Sequence, residues 1–322
     1  PVYPLTFSRI FQGLWGIELG MKWVKIWGTQ GGLKDNVISK IKTKIKYFAD
    51  FICGILTLSA HEVSDLDLTK KVLAIQKFKP KGIYGYGTSI FLLAAHINKN
   101  NLHAKVETVN LIVYTSEFLT TWQRRIIEEA FRCPVISEYG SVETGIISYE
   151  CPCGKQHINH ESLDIEVLDK SGKINQTGKG QIVVTLFFPK LMPVIRYLLG
   201  DIVEIGVQEK PCKYGFSGKY IKNLFGRKNN IIVSRSGILI STQYVAQIMR
   251  TVTELKRIQV VEEENFLLNI IIELYKKEDK EKTSKKVEEL FNNKLNGDFK
   301  VKIVIVDNIN DGGKFRWVIG KS

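Results

Sequence analysis

Between residues 24 and 140, short apolar runs alternate with longer amphipathic runs, and this alternation limits the possible folds more than any other feature. Apolar runs of four to eight residues predict strands, and apolar residues at helical spacing predict helices. In chain order, the predicted elements are strand 24–28, helix 36–52, helix 64–78, strand 82–86, helix 88–97, strand 110–117, helix 119–131 and strand 134–140. Strands that alternate with helices of this length form βαβ units, so we expect an α/β fold with a parallel-sheet core.

The pattern changes near residue 145. Short β runs separated by Gly, Lys and Asn predict a β-rich subdomain over about 145–226, with a turn at LDKSGK (168–173). After GRKNN (226–230), a hairpin is followed by helix, strand, strand, helix and strand, which is typical of a small α+β domain. We therefore predict a large domain over 1–226 and a C-terminal α+β domain over 227–322.

Composition excludes several classes of protein. The chain has 322 residues, 44% of them hydrophobic, which is enough for a substantial core. No run approaches the roughly 18 apolar residues of a membrane helix, and no secretory signal pattern is present, so we expect no membrane span and a cytoplasmic location. The net charge of +13 attracts polyanions, but the lysines are scattered and the densest run alternates with acidic residues. No basic stripe carries stacking aromatics, so nucleic acid is not the expected partner.

The five cysteines do not form an expected disulfide framework, because their number is odd and no signal peptide is seen. Cys53 and Cys133 lie in apolar surroundings and are predicted to be buried. The other three are Cys151, Cys153 and Cys212, and His157 follows the first two closely. They can be metal ligands or three reduced thiols.

Two polar segments, TSE (115–117) and EYGSVE (138–143), follow predicted parallel strands, where ligands of α/β sheets bind. Gly140 allows a sharp turn, Tyr139 offers a flat apolar ring, and Glu143 is a carboxylate suited to phosphate-bound Mg²⁺. An ordinary strand-to-loop turn with a surface glutamate also explains the second segment.

Three further segments carry candidate polar residues. Asp201 follows a glycine in a predicted turn of MPVIRYLLGD (192–201), and a carboxylate there can accept hydrogen bonds from ribose hydroxyls. Arg227 in GRKNN can hold a ribose or a phosphate. Lys314 follows two glycines in DGGKFR (311–316). A simple Gly-Asp turn and a solvated loop lysine are the alternatives.

The order of these motifs resembles that of the phenylacetate–CoA ligase-like family of the adenylate-forming acyl-CoA synthetase superfamily. The resemblance runs from residue 16 to the end and is strongest to the branch associated with capsule and polysaccharide gene clusters. It is carried by TSEFL, EYGSVE, the EC…H segment, MPVIRYLLGD, GRKNN and GGKFR.

This resemblance implies an adenylate-forming enzyme fold and a ligase that uses ATP and Mg²⁺. A carboxylic acid is activated as an acyl-adenylate, and coenzyme A or another thiol then takes the acyl group. The C-terminal domain is implied to rotate between the two half-reactions. Members of the family often form homodimers.

The resemblance also implies residue roles. Ser116 and Glu117 lie against adenine, Tyr139 packs on its ring, and Gly140 and Ser141 lie near the phosphates. Glu143 holds Mg²⁺, Asp201 binds the ribose hydroxyls beside Arg227, and Lys314 bridges acyl and phosphate oxygens. The acid pocket is expected at Tyr84, Tyr86 and residues 142–145, which suit an aryl or an acyl chain equally.

In this family, a Cys and a His after the glutamate turn meet a later Cys-x-Cys to bind zinc. Here Tyr214 replaces the second cysteine of that pair, but Cys153 is additional. We therefore expect Cys151, Cys153, His157 and Cys212 to form a closed structural Zn²⁺ site.

The sequence also departs from the family pattern. The Ser/Thr/Gly-rich phosphate loop is absent and is expected shortly before residue 1, so we expect the chain to be N-terminally incomplete. The usually acidic hinge position is Asn229 or Asn230, and Leu198 replaces an arginine. These departures motivate an alternative, a non-catalytic zinc-clipped relative that binds a nucleotide or a partner in polysaccharide biosynthesis.

Overall fold

The structure is a computed structural model. It describes residues 8, 10–28, 45, 47–60, 62–117, 119, 121–188, 193–227, 232–234, 239–240, 245, 248, 251–252, 254–275, 280–295, 297–309 and 317–320.

The chain divides into two compact units. The first comprises residues 1–165, 184–197 and 205–222, and the second comprises 166–183, 198–204 and 223–322. This division into units does not test the predicted domain boundary at residue 227, because that boundary separates parts expected to move independently. The boundary stays a prediction.

The predicted parallel βαβ core is confirmed. Its five strands are β1 (Trp23–Trp27), β2 (Ile55–Ser59), β3 (Gly82–Tyr86), β4 (Leu111–Thr115) and β5 (Val135–Ser141). They pair in the order β2-β1-β3-β4-β5, and every pair is parallel. The edge strand β2, ILTLS, is not among the strands that the sequence pattern predicts.

In the described part of the chain, three helices with defined bounds connect β2 to β3, β3 to β4 and β4 to β5. They are α1 (Asp65–Phe78), α2 (Gly87–Lys99) and α3 (Thr121–Phe131), close to the predicted bounds. Ser64 caps α1 as predicted, because its side chain accepts the N–H of Asp67. The predicted helix 36–52 lies largely outside the described residues, which are helical at 45 and 47–52.

The parallel strands have a buried layer on each face. Ile83, Ile112 and Val135 pack with the helices on one face. Residues one position along the same strands, such as Val113 and Ile136, pack on the other face with Trp23, Tyr149 and Cys151, among others. Successive side chains of a strand point to opposite faces of the sheet. The face on which a polar residue lies therefore follows from its spacing from these buried residues.

The predicted β-rich region is confirmed after residue 145. Its strands are β6 (Gly145–Glu150), β7 (Gln156–Ile158), β8 (Leu163–Leu168), β9 (Ile174–Asn175), β10 (Gly178–Leu186), β11 (Tyr197–Gln208) and β12 (Gly218–Arg227). They extend the sheet from β5 in the order β6-β7-β12-β11-β10-β8-β9. The predicted turn at Gly200–Asp201 is wrong, because both residues lie inside the continuous strand β11, where Gly200 has φ +86°.

The end of the chain forms a separate four-stranded sheet. Its strands are β15 (Leu255–Glu263), β16 (Leu267–Leu274), β17 (Lys300–Ile305) and β18 (Val318–Ile319), paired in the order β17-β16-β15-β18. Helix α4 (Lys280–Leu295) buries Val287, Phe291 and Leu295 in the same core as these strands. A short antiparallel pair, β13 (Ile232–Val233) and β14 (Leu239–Ile240), precedes them as the predicted hairpin.

Two further predictions have mixed outcomes. Cys53 is exposed, so its predicted burial is wrong, because it ends the helical segment over 47–52. Cys133 is partly buried against the helix-side core. In the described part of the chain, no helix has the length and apolar character needed to cross a membrane.

Candidate functional site

The segment after β4 places its carboxylate at the start of a helix. Ser116 is exposed and has a left-handed backbone with φ 65°. Glu117 Oε2 accepts a 2.7 Å hydrogen bond from the backbone N–H of Thr88 in the first turn of α2. A negative charge is favourable there, because the amino end of a helix carries partial positive charge. The predicted contacts of Ser116 and Glu117 with adenine stay predictions.

The EYGSVE segment is a tight hairpin between β5 and β6. Gly140 lies where the register shifts, and a Cβ there would come within 2.3 Å of the Gly145 carbonyl oxygen. The backbone therefore requires glycine at this position. The Ser141 hydroxyl accepts the N–H of Thr144 at 3.1 Å, so its oxygen also holds the turn.

The two remaining residues of this motif differ in exposure. Tyr139 is buried in β5, with 8% of its surface exposed. Glu143 lies in the turn with an exposed side chain. Mg²⁺ is bound by carboxylate oxygens, so the exposed carboxylate of Glu143 fits its predicted role.

Glu138 was missed by the sequence analysis as a site residue. Its side chain is 6% exposed, and its Oε1 accepts a 2.7 Å hydrogen bond from the hydroxyl of Tyr84. Burial raises the pKa of Glu138 to about 7, although hydrogen bonds from Tyr84 and Thr115 and the charge of Lys25 lower it. Burial, followed by the Glu138 charge, also raises the pKa of Tyr84. The sequence does contain a signal for this residue: Glu138 is two positions after the apolar Ile136, so the strand pattern places both on the same face.

A second unpredicted group braces the hairpin. Arg124 on α3 forms a 2.8 Å ion pair with Glu150 at the end of β6. The other carboxylate oxygen of Glu150 accepts the backbone N–H of Ser137 in β5 at 3.0 Å. The strands that carry EYGSVE are thereby tied to each other and to a helix.

In the second unit, Asp201 and Arg227 lie side by side as the resemblance implied. Asp201 is 9% exposed, and its Oδ1 is 3.7 Å from Nε of the exposed Arg227. Their contacts with a ribose stay a prediction. Lys314, Asn229 and Asn230 lie outside the described residues.

Cys151, Cys153, His157 and Cys212 come together in the first unit. One donor atom from each lies within 4.8 Å of all the others, and Cys153 Sγ is 3.4 Å from His157 Nε2. Two similar turns present the sulfur atoms. In each, a glycine N–H donates to the carbonyl of the cysteine three residues earlier, at 2.8 Å for both Gly154→Cys151 and Gly215→Cys212.

The pKa values of this cluster shift in different directions. Burial, with the neighbouring thiols, raises the pKa of Cys151 to about 12. Burial also tends to raise the pKa of Cys212, but N–H groups of Tyr214 and Phe216 and the other thiols lower it overall. Burial lowers the pKa of His157 to about 4, so its imidazole is neutral and can act as a ligand. Three sulfurs and one imidazole nitrogen at these separations fit tetrahedral Zn²⁺, with Zn–S near 2.3 Å.

Apolar rings surround the cluster. The ring of His157 stacks on Phe216 at a centroid distance of 5.2 Å, and Phe11 packs against Phe216 at 4.7 Å. Within the described part of the chain, Nδ1 of His157 is buried without a hydrogen-bond partner. The four donors therefore lie in apolar surroundings, which is typical of a structural metal site rather than an open catalytic one.

No protein-family model matches the chain. Among curated proteins, it is 30% identical to Protein CapK of Staphylococcus aureus over 322 residues, covering 98% of this chain and 68% of CapK. It is 26% identical over 201 residues to the indoleacetate–lysine synthetase of Pseudomonas savastanoi, covering 58% of this chain and 47% of the synthetase. The chain thus spans about two thirds of one relative and about half of the other.

Among solved structures, a similar one is 2-hydroxyisobutyryl-CoA ligase in the postadenylation state in complex with R3-HIB-AMP. The TM-score is 0.72 at 16% identity, over 99% of this chain and 69% of the ligase. At this identity the likeness shows the fold alone, and it confirms the predicted mixed α/β fold.

Proposed function

This chain belongs to the adenylate-forming superfamily, in the phenylacetate–CoA ligase-like family, and we propose on that premise that it activates a carboxylic acid as an acyl-adenylate. An oxygen of the carboxylate attacks the α-phosphorus of ATP. A new acyl–phosphate bond forms, the bond between the α-phosphorus and the bridging oxygen breaks, and pyrophosphate leaves. The observation that carries this proposal is the similarity to CapK over nearly the whole chain.

The hairpin over 138–145 supports the nucleotide part of the proposal. Its glycine allows a tight approach of two strands, and its Tyr139 lies at the carboxyl end of a parallel strand, where ligands bind. We propose that Tyr139 packs on adenine and that Gly140 and Ser141 face the phosphates. Ser116 and Glu117, which follow the neighbouring strand, lie against adenine.

In the second unit, Asp201 is the proposed acceptor of hydrogen bonds from the ribose hydroxyls. Arg227 Nε, 3.7 Å from Oδ1 of this carboxylate, helps to orient it. An ionised carboxylate is a stronger acceptor than a neutral one.

Two groups would supply positive charge during the reaction. Magnesium, when bound, neutralises charge on the phosphates, and Glu143 would hold it. Lys314 is proposed to contact the oxygens of the acyl and α-phosphoryl groups, where negative charge develops as the new bond forms. The proposed rotation of residues 227–322 delivers this lysine for the first half-reaction only.

For the second half-reaction, we propose coenzyme A as the acceptor. Its thiol gives up a proton as the sulfur attacks the acyl carbon and forms the thioester bond. The bond between the acyl carbon and the phosphate oxygen breaks, and AMP leaves. The relatives support a shared first half-reaction with different acceptors, because one is named a CoA ligase and another a lysine synthetase. Mass spectrometry of the product distinguishes a thioester from an amide.

Zinc is proposed to be structural. Cys151, Cys153, His157 and Cys212 would hold it and tie β6–β7 to the turn before β12, with no part in acyl transfer. A closed set of four protein ligands leaves no position for substrate.

The test is acid-dependent ATP–pyrophosphate exchange by the protein expressed from its complete reading frame, across a panel of aryl and fatty acids. We expect exchange with a subset of acids and its loss in Lys314→Ala. Lys170→Ala, which removes an exposed lysine from the turn after β8, is the matched control and should retain exchange.

Unchanged exchange in Lys314→Ala would refute the role of this lysine. No exchange with any acid, together with intact ATP binding, would instead favour the non-catalytic relative that binds a nucleotide or a partner.

A further inference from the structure

Three aromatic rings form a wall at the carboxyl ends of two parallel strands. Trp27 ends β1, Tyr84 is the middle residue of β3, and Tyr86 ends β3. The rings of Trp27 and Tyr84 are nearly parallel, with an interplanar angle of 13° and centroids 5.7 Å apart. The centroids of Trp27 and Tyr86 are 4.5 Å apart. All three residues are only partly buried.

A buried carboxyl lies at one end of this wall. Glu138 accepts the hydroxyl hydrogen of Tyr84 at 2.7 Å, although strand β4 separates β3 from β5. Thr115, at the carboxyl end of β4, adds a second hydrogen bond from its side chain. Four neighbouring strands thus contribute aromatic or polar side chains to one region.

The position of Glu138 is costly for a purely structural residue. Burial of a carboxyl group is unfavourable unless hydrogen bonds compensate for lost water. In the described part of the chain, no cationic side chain forms an ion pair with Glu138, although Lys25 is close enough to affect it electrostatically. Lys25 instead lies with its Nζ 4.7 Å from the centre of the Trp27 ring. An apolar residue would pack at this position without the cost.

We propose that Tyr84 and Glu138 are the specificity-determining polar end of the acid pocket, and that the preferred acid carries an aromatic ring with a hydroxyl or amino substituent. The ring lies along Trp27 and Tyr86, and its substituent donates a hydrogen bond to the Tyr84–Glu138 pair. The inference rests on the proposed function, which makes the ligand a carboxylic acid. The inference selects an aryl acid, whereas the sequence suited an aryl or an acyl chain equally.

Hydrogen-bond chemistry gives the direction of selectivity. The carboxyl of Glu138 has more lone pairs than the hydroxyls of Tyr84 and Thr115 use, so it can accept from a further donor. An unsubstituted ring leaves this acceptor without the added bond, and a saturated chain also loses stacking on the wall. We expect the substituted ring to bind about tenfold more tightly than the unsubstituted ring, as one hydrogen bond implies.

Calorimetric titration of the protein from its complete reading frame tests the inference without catalysis. The probes are 4-hydroxybenzoate and 4-aminobenzoate, with benzoate and hexanoate for comparison. The variants are Tyr84→Phe, Glu138→Leu and Glu138→Gln. Tyr114→Phe is the matched control, because Tyr114 is on β4 but packs in the helix-side core, on the face opposite to the one where Tyr84 packs.

The expected result is that Tyr84→Phe and Glu138→Leu reduce the preference for substituted rings from about tenfold to about twofold, with benzoate affinity nearly unchanged. Glu138→Gln should restore part of the preference, because an amide oxygen also accepts hydrogen bonds. Tyr114→Phe should retain the wild-type preference. A loss of folding would lower the affinity for benzoate as well, so the ratio separates specificity from stability.

Three outcomes would overturn the inference. If the inference holds, hexanoate binds more weakly than 4-hydroxybenzoate, and equal affinities would refute it. An unchanged preference in both Tyr84→Phe and Glu138→Leu would also refute it. Selective binding without ATP–pyrophosphate exchange would support this inference and refute the proposed function, whereas exchange restricted to alkyl acids would do the reverse.

Discussion

Glu138 should make the stability of the first unit depend on pH. Burial raises the pKa of this carboxyl in the folded protein to about 7, from a usual value of 4.5. Between these two values, the unfolded chain releases the proton while the folded protein keeps it. The unfolded state therefore gains stability as the pH rises, and the folded state loses its advantage progressively up to pH 7.

The magnitude follows from the two pKa values. A shift of this size corresponds to about 3 kcal/mol over the full titration, since one pKa unit is 1.36 kcal/mol. Between pH 5 and pH 8, the loss is about 2.5 kcal/mol, because a small part has already occurred at pH 5. The carboxyl is nearly inaccessible, with 6% exposure, so solvent screening does not reduce this value greatly.

Urea unfolding at pH 5 and pH 8, followed by tryptophan fluorescence, measures the effect. Four of the five tryptophans, Trp15, Trp23, Trp27 and Trp122, lie in the first unit, so the signal reports mainly on that unit. Glu138→Gln removes the titrating group at nearly constant volume. Between pH 5 and pH 8, we expect the free energy of unfolding of the wild type to fall by about 2.5 kcal/mol more than that of Glu138→Gln.

The partner residue gives a second check. Tyr84→Phe removes a hydrogen bond that lowers the pKa of Glu138, so the pH-dependent loss should extend to higher pH. Tyr114→Phe, on the opposite face, should retain the wild-type dependence. The same pH dependence in the wild type and in Glu138→Gln would refute the assignment of this titration to Glu138.

Three further changes test the hairpin, the metal cluster and the second unit. Gly140→Ala should lower the free energy of unfolding by at least about 2 kcal/mol, because the new Cβ would come 2.3 Å from a carbonyl oxygen; Gly13→Ala, with no atom within 4 Å, should be tolerated in the same urea assay. Cys212→Ser should abolish binding of one zinc per chain, measured by plasma mass spectrometry, and lower stability by about 2–4 kcal/mol, whereas the exposed Cys53→Ser should keep the metal. Asp201→Asn should weaken ATP binding at least about tenfold in a calorimetric titration, and an unchanged affinity would exclude its role at the ribose.

Local pattern alone predicted most of the parallel core. Helices such as Asp65–Phe78 and strands such as Gly82–Tyr86 are marked by the spacing of apolar residues, which reflects the geometry of a single segment. Pattern failed at Gly200–Asp201, where a glycine and an aspartate favour a turn but strand pairing continues through both. It also missed Ile55–Ser59, an edge strand in which all five residues are only partly buried.

The candidate site could be outlined only by combining the residue pattern and the family resemblance with the structure. The segments 115–117 and 138–143 were recognisable from residue type and their place after strands, and the resemblance supplied the expected roles. The convergence of Cys212 with Cys151 was likewise an expectation from the resemblance, and the structure brings their donor atoms within 4.8 Å. Spacing alone could not have joined residues that are so far apart in the chain.

The sequence by itself determined most of the helices and strands and which polar residues follow the strands, because these depend on neighbouring residues. Only the tertiary structure decided that Tyr84 and Glu138 share a hydrogen bond, because this depends on the register of β3, β4 and β5. It likewise decided that Glu150 holds both Arg124 and the backbone of Ser137. Burial, and with it the raised pKa of Glu138, is a property of the packed sheet and is not encoded in any one segment.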